Sequence, residues 1–295
     1  MGYIFVIAII FLVHYLIFTD AEEGASKYCK TADEKWDELK EMIESLNLSS
    51  HNILMLKLIQ KTLEITNIHI YANNKSFFFC GSRANKDYML QVDEFTKLPV
   101  YCNMDGAGLG DCGGGGWTLV MKINGTKSTF KYDSPFWSDK KEYEPSNGRN
   151  LDAGETKLPT YWSTSFTKIC LGMKVGVESK FIVLNQEASS LHSLIADGQY
   201  RKTSLGREAW KDLISEASLQ KKCNKEGLNV LVDLVGYSKA RIGIVGNNED
   251  DCKSSHSRIG FGTAGYPSDT ISCGDVAKDG DKGDKFIKAM GYIFV

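Results

Sequence analysis

The chain has 295 residues, with 35 Lys and Arg against 37 Asp and Glu and a formal charge of −2. That balance argues against a nucleic-acid binder that neutralises many phosphates, and equally against a polyacidic, disordered mineral-binding chain. The 42% of apolar residues is enough for one large core or two smaller ones.

Residues 3–18 form an apolar run with one His and no formal charge, followed by Thr19-Asp20-Ala21-Glu22-Glu23. The small side chains of Thr19 and Ala21 predict a secretory signal over residues 1–21, cleaved after Ala21. The competing reading is an uncleaved anchor, because the run nears the roughly 20 residues that span a bilayer and no Lys or Arg precedes it. A membrane is a partner only in that case.

Residues 32–70 hold no Gly, Pro or Cys, and Trp36, Leu39, Ile43 and Leu46 recur at spacings of three and four. Asn47–Asn52 interrupts the seam, and Leu56, Ile59 and Leu63 resume it in a shifted frame. The spacing predicts two short amphipathic helices within a helical segment over 22–75. They read either as a coiled-coil stalk that makes a homo-oligomer through residues 32–70, with Cys29 linking chains, or as an αα-hairpin packed on the main domain.

From Ser76 onward the texture changes, with 26 of the 28 Gly in residues 76–295. Strand-like runs such as Trp117–Ile123 and Lys180–Leu184 alternate with turns. A helical pattern spans Ser204–Leu219, where Leu205, Ala209, Leu213 and Ala217 recur every four residues. This predicts one α+β domain over 76–295, loop-rich and held by disulfides. The hexad MGYIFV occurs at 1–6 and again at 290–295, in contexts so different that the match reads as coincidence or artefact.

The eight cysteines, Cys29, Cys80, Cys102, Cys112, Cys170, Cys223, Cys252 and Cys273, all follow the apolar run. In an oxidising compartment they read as a disulfide framework, but eight cysteines permit about a hundred complete pairings and the sequence selects none. Acceptor sequons at Asn47, Asn74 and Asn124 agree with a secretory route and mark glycosylation sites. Gly108-Leu109-Gly110-Asp111-Cys112-Gly113 satisfies G-x-G-x-x-G. Three further glycines and then a strand pattern follow it where a nucleotide site needs a helix, so the glycines read as backbone positions of positive φ or close approach.

Val100-Tyr101-Cys102-Asn103-Met104-Asp105, the glycine run and Gly116-Trp117-Thr118-Leu119-Val120 resemble the start of fibrinogen C-terminal-like domains. The later stretch Ala240–Cys252, then Ser257–Gly262 and Cys273-Gly274-Asp275, resembles the intelectin branch more than the ficolin branch. The whole chain is similar to secreted skeletal organic matrix proteins of corals. The resemblance implies a Cys80–Cys102 bridge and a Cys252–Cys273 bridge. Cys170–Cys223 is then a guess among the rest, leaving Cys29 and Cys112 to pair with each other or across chains. A zinc site of Cys252, His256 and Cys273 would have only three ligands and need reduced thiols.

The resemblance also implies calcium, a hard cation that takes six to eight oxygens. The first acidic segment, Asn247–Asp251, matches the intelectin pattern and offers Asn248, Glu249, Asp250 and Asp251. The second, with Asp275, Asp279, Asp281 and Asp284, shares only its Cys-Gly-Asp opening, and its mixture of Asp and Lys also suits an ordinary solvated loop. In intelectins aromatic side chains flank the calcium-held sugar diol, yet no aromatic lies between Cys273 and Lys285. Tyr266, Phe286 or Tyr292 would have to approach from elsewhere. Trp137 and Trp162 read as core rather than as stacking platforms.

No nucleophile, metalloprotease or phosphate-loop motif occurs, and His192 and His256 are expected at the surface. The expectation is therefore a secreted, non-enzymatic extracellular matrix protein with a calcium-stabilised fibrinogen-like binding domain, whose partners are matrix proteins or glycans and not nucleic acid. The alternative is a calcium-dependent lectin of intelectin or ficolin type.

Overall fold

The structure, a computed structural model, describes residues 84–92, 96–152 and 154–295. The signal over 1–21, the helical segment 22–75, Cys29, Cys80, Asn47 and Asn74 lie outside the described residues.

The fold is built on two antiparallel sheets. The first sheet takes β1 (Lys86–Gln91), β2 (Lys97–Asn103), β3 (Trp117–Asn124), β4 (Thr156–Lys157), β5 (Phe166–Val175), β6 (Glu178–Ala188) and β13 (Met290–Phe294). Its order is β1-β2-β3-β13-β5-β6, with β4 added to β3. The second takes β7 (Arg201–Lys202), β8 (Lys222–Val230), β9 (Lys239–Asn247), β10 (Ser257–Ala264), β11 (Cys273–Ala277) and β12 (Lys285–Lys288) in the order β12-β11-β10-β9-β8-β7. The α-helices among the described residues are short: α1 (Thr160–Ser163), α2 (Leu191–Ile195) and α3 (Arg207–Asp212). The expected α+β class is therefore corrected to a mostly antiparallel β architecture.

The helix expected over Ser204–Leu219 shrinks to α3. Gly206 at its N-cap has φ +86°, which no helix continues through, and Leu213–Leu219 buries its apolar residues in turns. The strand pattern at Trp117–Ile123 becomes β3, and Lys180–Leu184 lies inside β6. The MGYIFV copy at 290–295 supplies β13, which pairs with both β3 and β5 and buries Tyr292, Ile293 and Phe294. At this position the hexad is structure, not artefact.

The main core mixes both sheets. Val120, Ile123, Ile169, Leu171 and Ile293 meet Leu228, Ile242, Ile244, Ile259 and Phe261. Tyr292, Phe294, Leu119 and Cys170 belong to a second cluster with Leu109 and Cys112 of the glycine-rich loop. That loop closes on itself because Gly115, at φ +77°, lies so near Met104 that a Cβ would sit 2.2 Å from its carbonyl oxygen. Only glycine permits that approach, so the structural reading of the G-x-G-x-x-G run is the one realised. α3 is tied to β8 through Glu226, whose buried carboxylate accepts from Thr203 Oγ1 at 2.8 Å, Leu205 N at 3.0 Å, Gly206 N at 2.8 Å and Trp210 Nε1 at 2.8 Å.

Among the described residues two disulfides form, Cys112–Cys170 and Cys223–Cys252. The implied pairings are corrected. Cys170 lies in the first sheet and Cys223 in the second, so they do not meet. Cys273 on β11 turns its sulfur toward Gly291 and Phe261 in the core, away from the outer loop that carries Cys252. Cys273 and Cys102 are free and buried, which removes both Cys252–Cys273 and Cys80–Cys102, and Cys112 is committed to Cys170. Burial pushes the Cys102 thiol up to about 11. Among the described residues no helix is long and apolar enough to cross a membrane.

Candidate functional site

The two predicted acidic segments meet at one end of the second sheet, where Asn248 Nδ2 donates to Asp279 O at 3.3 Å. Their carboxylates, however, are engaged separately. Asp250 pairs with Lys222 at 3.1 Å. Asp251 accepts from Lys253 N at 2.9 Å, and Asp284 from Asp279 N at 2.8 Å. Asp281 is held by Arg207 Nη2 at 2.8 Å and Lys211 Nζ at 2.5 Å on one oxygen, and by Leu219 N at 3.1 Å on the other. Burial would raise the Asp281 carboxyl, but these bonds from Lys211, Arg207 and the backbone hold it well below the usual carboxylate range. Glu249 is exposed.

Asp275 is fully buried on β11. Its Oδ2 accepts from Ser218 N at 2.8 Å and its Oδ1 has no partner. The eight predicted residues therefore do not form one ligand set, and among the described residues no three of His, Cys, Asp or Glu are grouped to hold a metal. Tested against the six to eight oxygens of calcium, this arrangement does not fit.

Asp275 carries a pH prediction. Burial, partly offset by the Ser218 N–H, pushes its carboxyl up to about 7. A folded-state value above the unfolded one means that the folded chain binds the proton more tightly. Stability is then lost as pH rises from about 4 to about 7. Asp275→Asn is expected to stabilise the fold at pH 8 by about 4 kcal/mol, read as a higher melting temperature, and to change little at pH 4. Paired thermal melts of the two proteins across this range check it.

A different cluster lies on the outer side of the second sheet, where Tyr237, His256 and Tyr266 converge. His256 stacks on Tyr237 with centroids 5.3 Å apart and planes at 20°. Tyr266 stands edge-on to both, at 5.2 Å from His256 and 5.9 Å from Tyr237. Three loops bring them together. Tyr266 N donates to Gly236 O at 2.7 Å, Ser238 N to Ser255 O at 3.1 Å, and His256 N to Gln220 Oε1 at 2.9 Å.

Arg258 anchors the arrangement from below. Its buried guanidinium donates to Gly265 O at 2.9 Å and Ser238 Oγ at 3.2 Å, and to Ser268 O. Among the described residues, neither tyrosine hydroxyl nor the His256 ring makes a hydrogen bond. Tyr266 is 46% exposed, and Leu234 and Val235 beside Tyr237 in the β8–β9 loop are 50% and 99% exposed. The cluster thus offers aromatic faces, apolar side chains and unspent polar groups together, the combination that suits a ligand with one apolar and one hydroxylated side.

Of the residues considered for stacking, only Tyr266 joins this platform. Trp137 is fully buried, with its Nε1 donating to Lys131 O at 3.0 Å. Trp162 is half-buried, and the Lys157 ammonium sits 5.4 Å over its ring. Tyr292 is in the core, and Phe286 is exposed on β12. His192 and His256, expected at the surface, are half-buried against tyrosines. The zinc alternative is excluded because Cys252 is bridged to Cys223. Asn124 is the partly exposed last residue of β3, its Oδ1 accepting from Thr126 Oγ1 at 2.8 Å.

Sequence reasoning missed Tyr237 altogether and placed His256 at the surface or in a three-ligand zinc site, never beside tyrosines. The available signal was weak: Gly236-Tyr237 and Gly265-Tyr266 are two of four Gly-Tyr steps in the sequence, and only Gly265-Tyr266 is followed by Pro267. Comparison with protein-family models finds no match, and comparison with curated proteins finds none either.

Proposed function

We propose that the chain is a secreted, non-enzymatic extracellular matrix protein whose two-sheet unit is a binding module of the fibrinogen C-terminal-like kind, intelectin branch. The observation that carries the reading is the Tyr237–His256–Tyr266 platform, whose loops Arg258 ties together and whose hydrogen-bonding groups are left unspent. The two disulfides support it, since such bridges persist in oxidising compartments. Asn124 is a glycosylation site of the secreted form.

The lectin is the second reading, because an aromatic face with adjacent hydroxyls also suits a sugar ring. Calcium enters only as an arm of the test. The full chain is expressed in eukaryotic cells, recovered from the medium, and assayed for retention on insoluble organic matrix and on a glycan array, each with and without chelator. The expected result is recovery of a chain beginning after Ala21 and matrix retention that Tyr266→Ala abolishes, with no saccharide selectivity. Chelator-sensitive binding to a defined saccharide would replace the matrix reading with the lectin, and retention in washed membranes would overturn secretion.

A further inference from the structure

The two bridges occupy different surroundings. Cys112 and Cys170 lie within a buried apolar cluster, at 9% and 0% exposure. Cys223 and Cys252 are both partly exposed, and Cys252 follows a run, Asn248–Asp251, that is exposed throughout. Thiol–disulfide exchange requires a thiolate to reach a sulfur, so access separates the two.

The backbone around Cys223 is unusual as well. Cys223 and Asn224 have φ +64° and +50°, at the point where the β8–β9 register slips between Lys222 and Lys225. The bridge pins this bulge to the strap 248–256. The remaining ties of the strap are individual polar contacts: Lys253 O accepts from Leu234 N at 3.0 Å, Ser255 O from Ser238 N at 3.1 Å, Asp251 O from Asn247 Nδ2 at 2.9 Å and His256 O from Lys278 N at 3.1 Å, while Asn248 Nδ2 donates to Asp279 O at 3.3 Å, His256 N to Gln220 Oε1 at 2.9 Å, and Asp250 pairs with Lys222 at 3.1 Å. The β9–β10 ladder begins beyond it, with Gly246 opposite Ser257. Opening the bridge therefore leaves the sheet pairing intact, while it removes the one covalent tie of the strap that ends in His256.

We infer that Cys223–Cys252 is a reversible redox latch on the strap 248–256, opened by a dithiol reductant while both sheets stay folded. A thiolate of the dithiol attacks one bridge sulfur, the S–S bond breaks, and the displaced cysteine thiolate takes a proton. The second thiol of the reductant then attacks the mixed disulfide and releases the other cysteine. Two electrons and two protons pass to the bridge, and the reductant leaves as its own disulfide. Because the strap ends in Ser255 and His256, opening loosens one side of the aromatic platform. This consequence for binding rests on the proposed function, whereas the latch does not.

The test uses the full oxidised chain, titrated with dithiothreitol under native conditions, alkylated and mapped by peptide. Hydrogen exchange is read in parallel. The expected result is alkylation of Cys223 and Cys252 while Cys112–Cys170 stays bridged. Exchange should become roughly tenfold faster at Leu234, Ser238 and His256, with β3 and β13 unchanged. The C223S/C252S double variant should reproduce the reduced pattern, and if it fails to fold the titration of the unaltered chain decides alone. The inference is overturned if Cys112–Cys170 opens at the same reductant concentration, if exchange rises equally in β3 and β13, or if reduction leaves residues 234–256 protected. Loss of the latch would leave the matrix and glycan measurements standing, and their failure would leave the latch standing.

Discussion

Glu226→Ala is expected to lower the stability of the two-sheet unit by about 3–5 kcal/mol, because it strands buried donors whose sole carboxylate acceptor has gone. Four donors converge on this side chain: a hydroxyl, two backbone N–H groups and the Trp210 indole. Glu226→Gln is expected to be nearly as costly, since one oxygen becomes an amide that faces donors rather than receiving from them. Burial alone would raise the Glu226 carboxyl, yet the bonds from Trp210, Thr203, Gly206 and Leu205 hold it below the ordinary glutamate range. Its contribution is thus present above the unfolded-state value and lost as pH falls through the folded one. Denaturant titration at pH 7 checks the magnitude. Repeating it near pH 3 should show the variant and the parent converging, and a constant gap between them would contradict this account.

The second large effect concerns the buried bridge. Cys112 and Cys170 are 58 residues apart, and chain-entropy reasoning assigns such a closure about 4 kcal/mol. The C112A/C170A double variant is expected to lose that amount and to lower the melting temperature by roughly 10 °C. The bridge fixes the glycine-rich loop over β5, so Leu109 and Trp117 should also gain solvent access. Calorimetry and Trp117 fluorescence report the two consequences, and an unchanged melting temperature would refute the first.

Legibility differed by region for physical reasons. β3 could be read because its β-branched and aromatic residues follow a glycine run that ends any helix. β10 could not, because Ser257–Ala264 is buried on both faces and so shows no alternation of apolar and polar residues. Gly243 and Gly260, paired across β9 and β10, are there because a Cβ on either would meet the opposite strand's carbonyl oxygen at 2.4 Å. In a sequence they resemble loop residues, which hid the second sheet and favoured an α+β reading. β13 was obscured by its match to the first six residues.

At the acidic end, Asn247–Asp251 and Asp279–Asp284 lie side by side, but their carboxylates are engaged separately. What the sequence hides is the counter-charge. Arg207 and Lys211 come from α3, some 70 residues before Asp281, and no local pattern announces that they will claim its carboxylate. The disulfides failed for the same reason, since pairing depends on which sheet each cysteine joins.

The placement of β13 between β3 and β5 has a consequence for biogenesis. Until residues 290–294 emerge from the ribosome, two long neighbouring strands each carry a row of unsatisfied amides and carbonyls on the side where the intruder will insert. Such open edges invite pairing with other chains, and closing them depends on contacts that are remote along the polypeptide and slow to find. This two-sheet unit is therefore most vulnerable to aggregation in the interval before β13 inserts, when the strands on either side can already form but the strip that joins the two halves of the first sheet is missing.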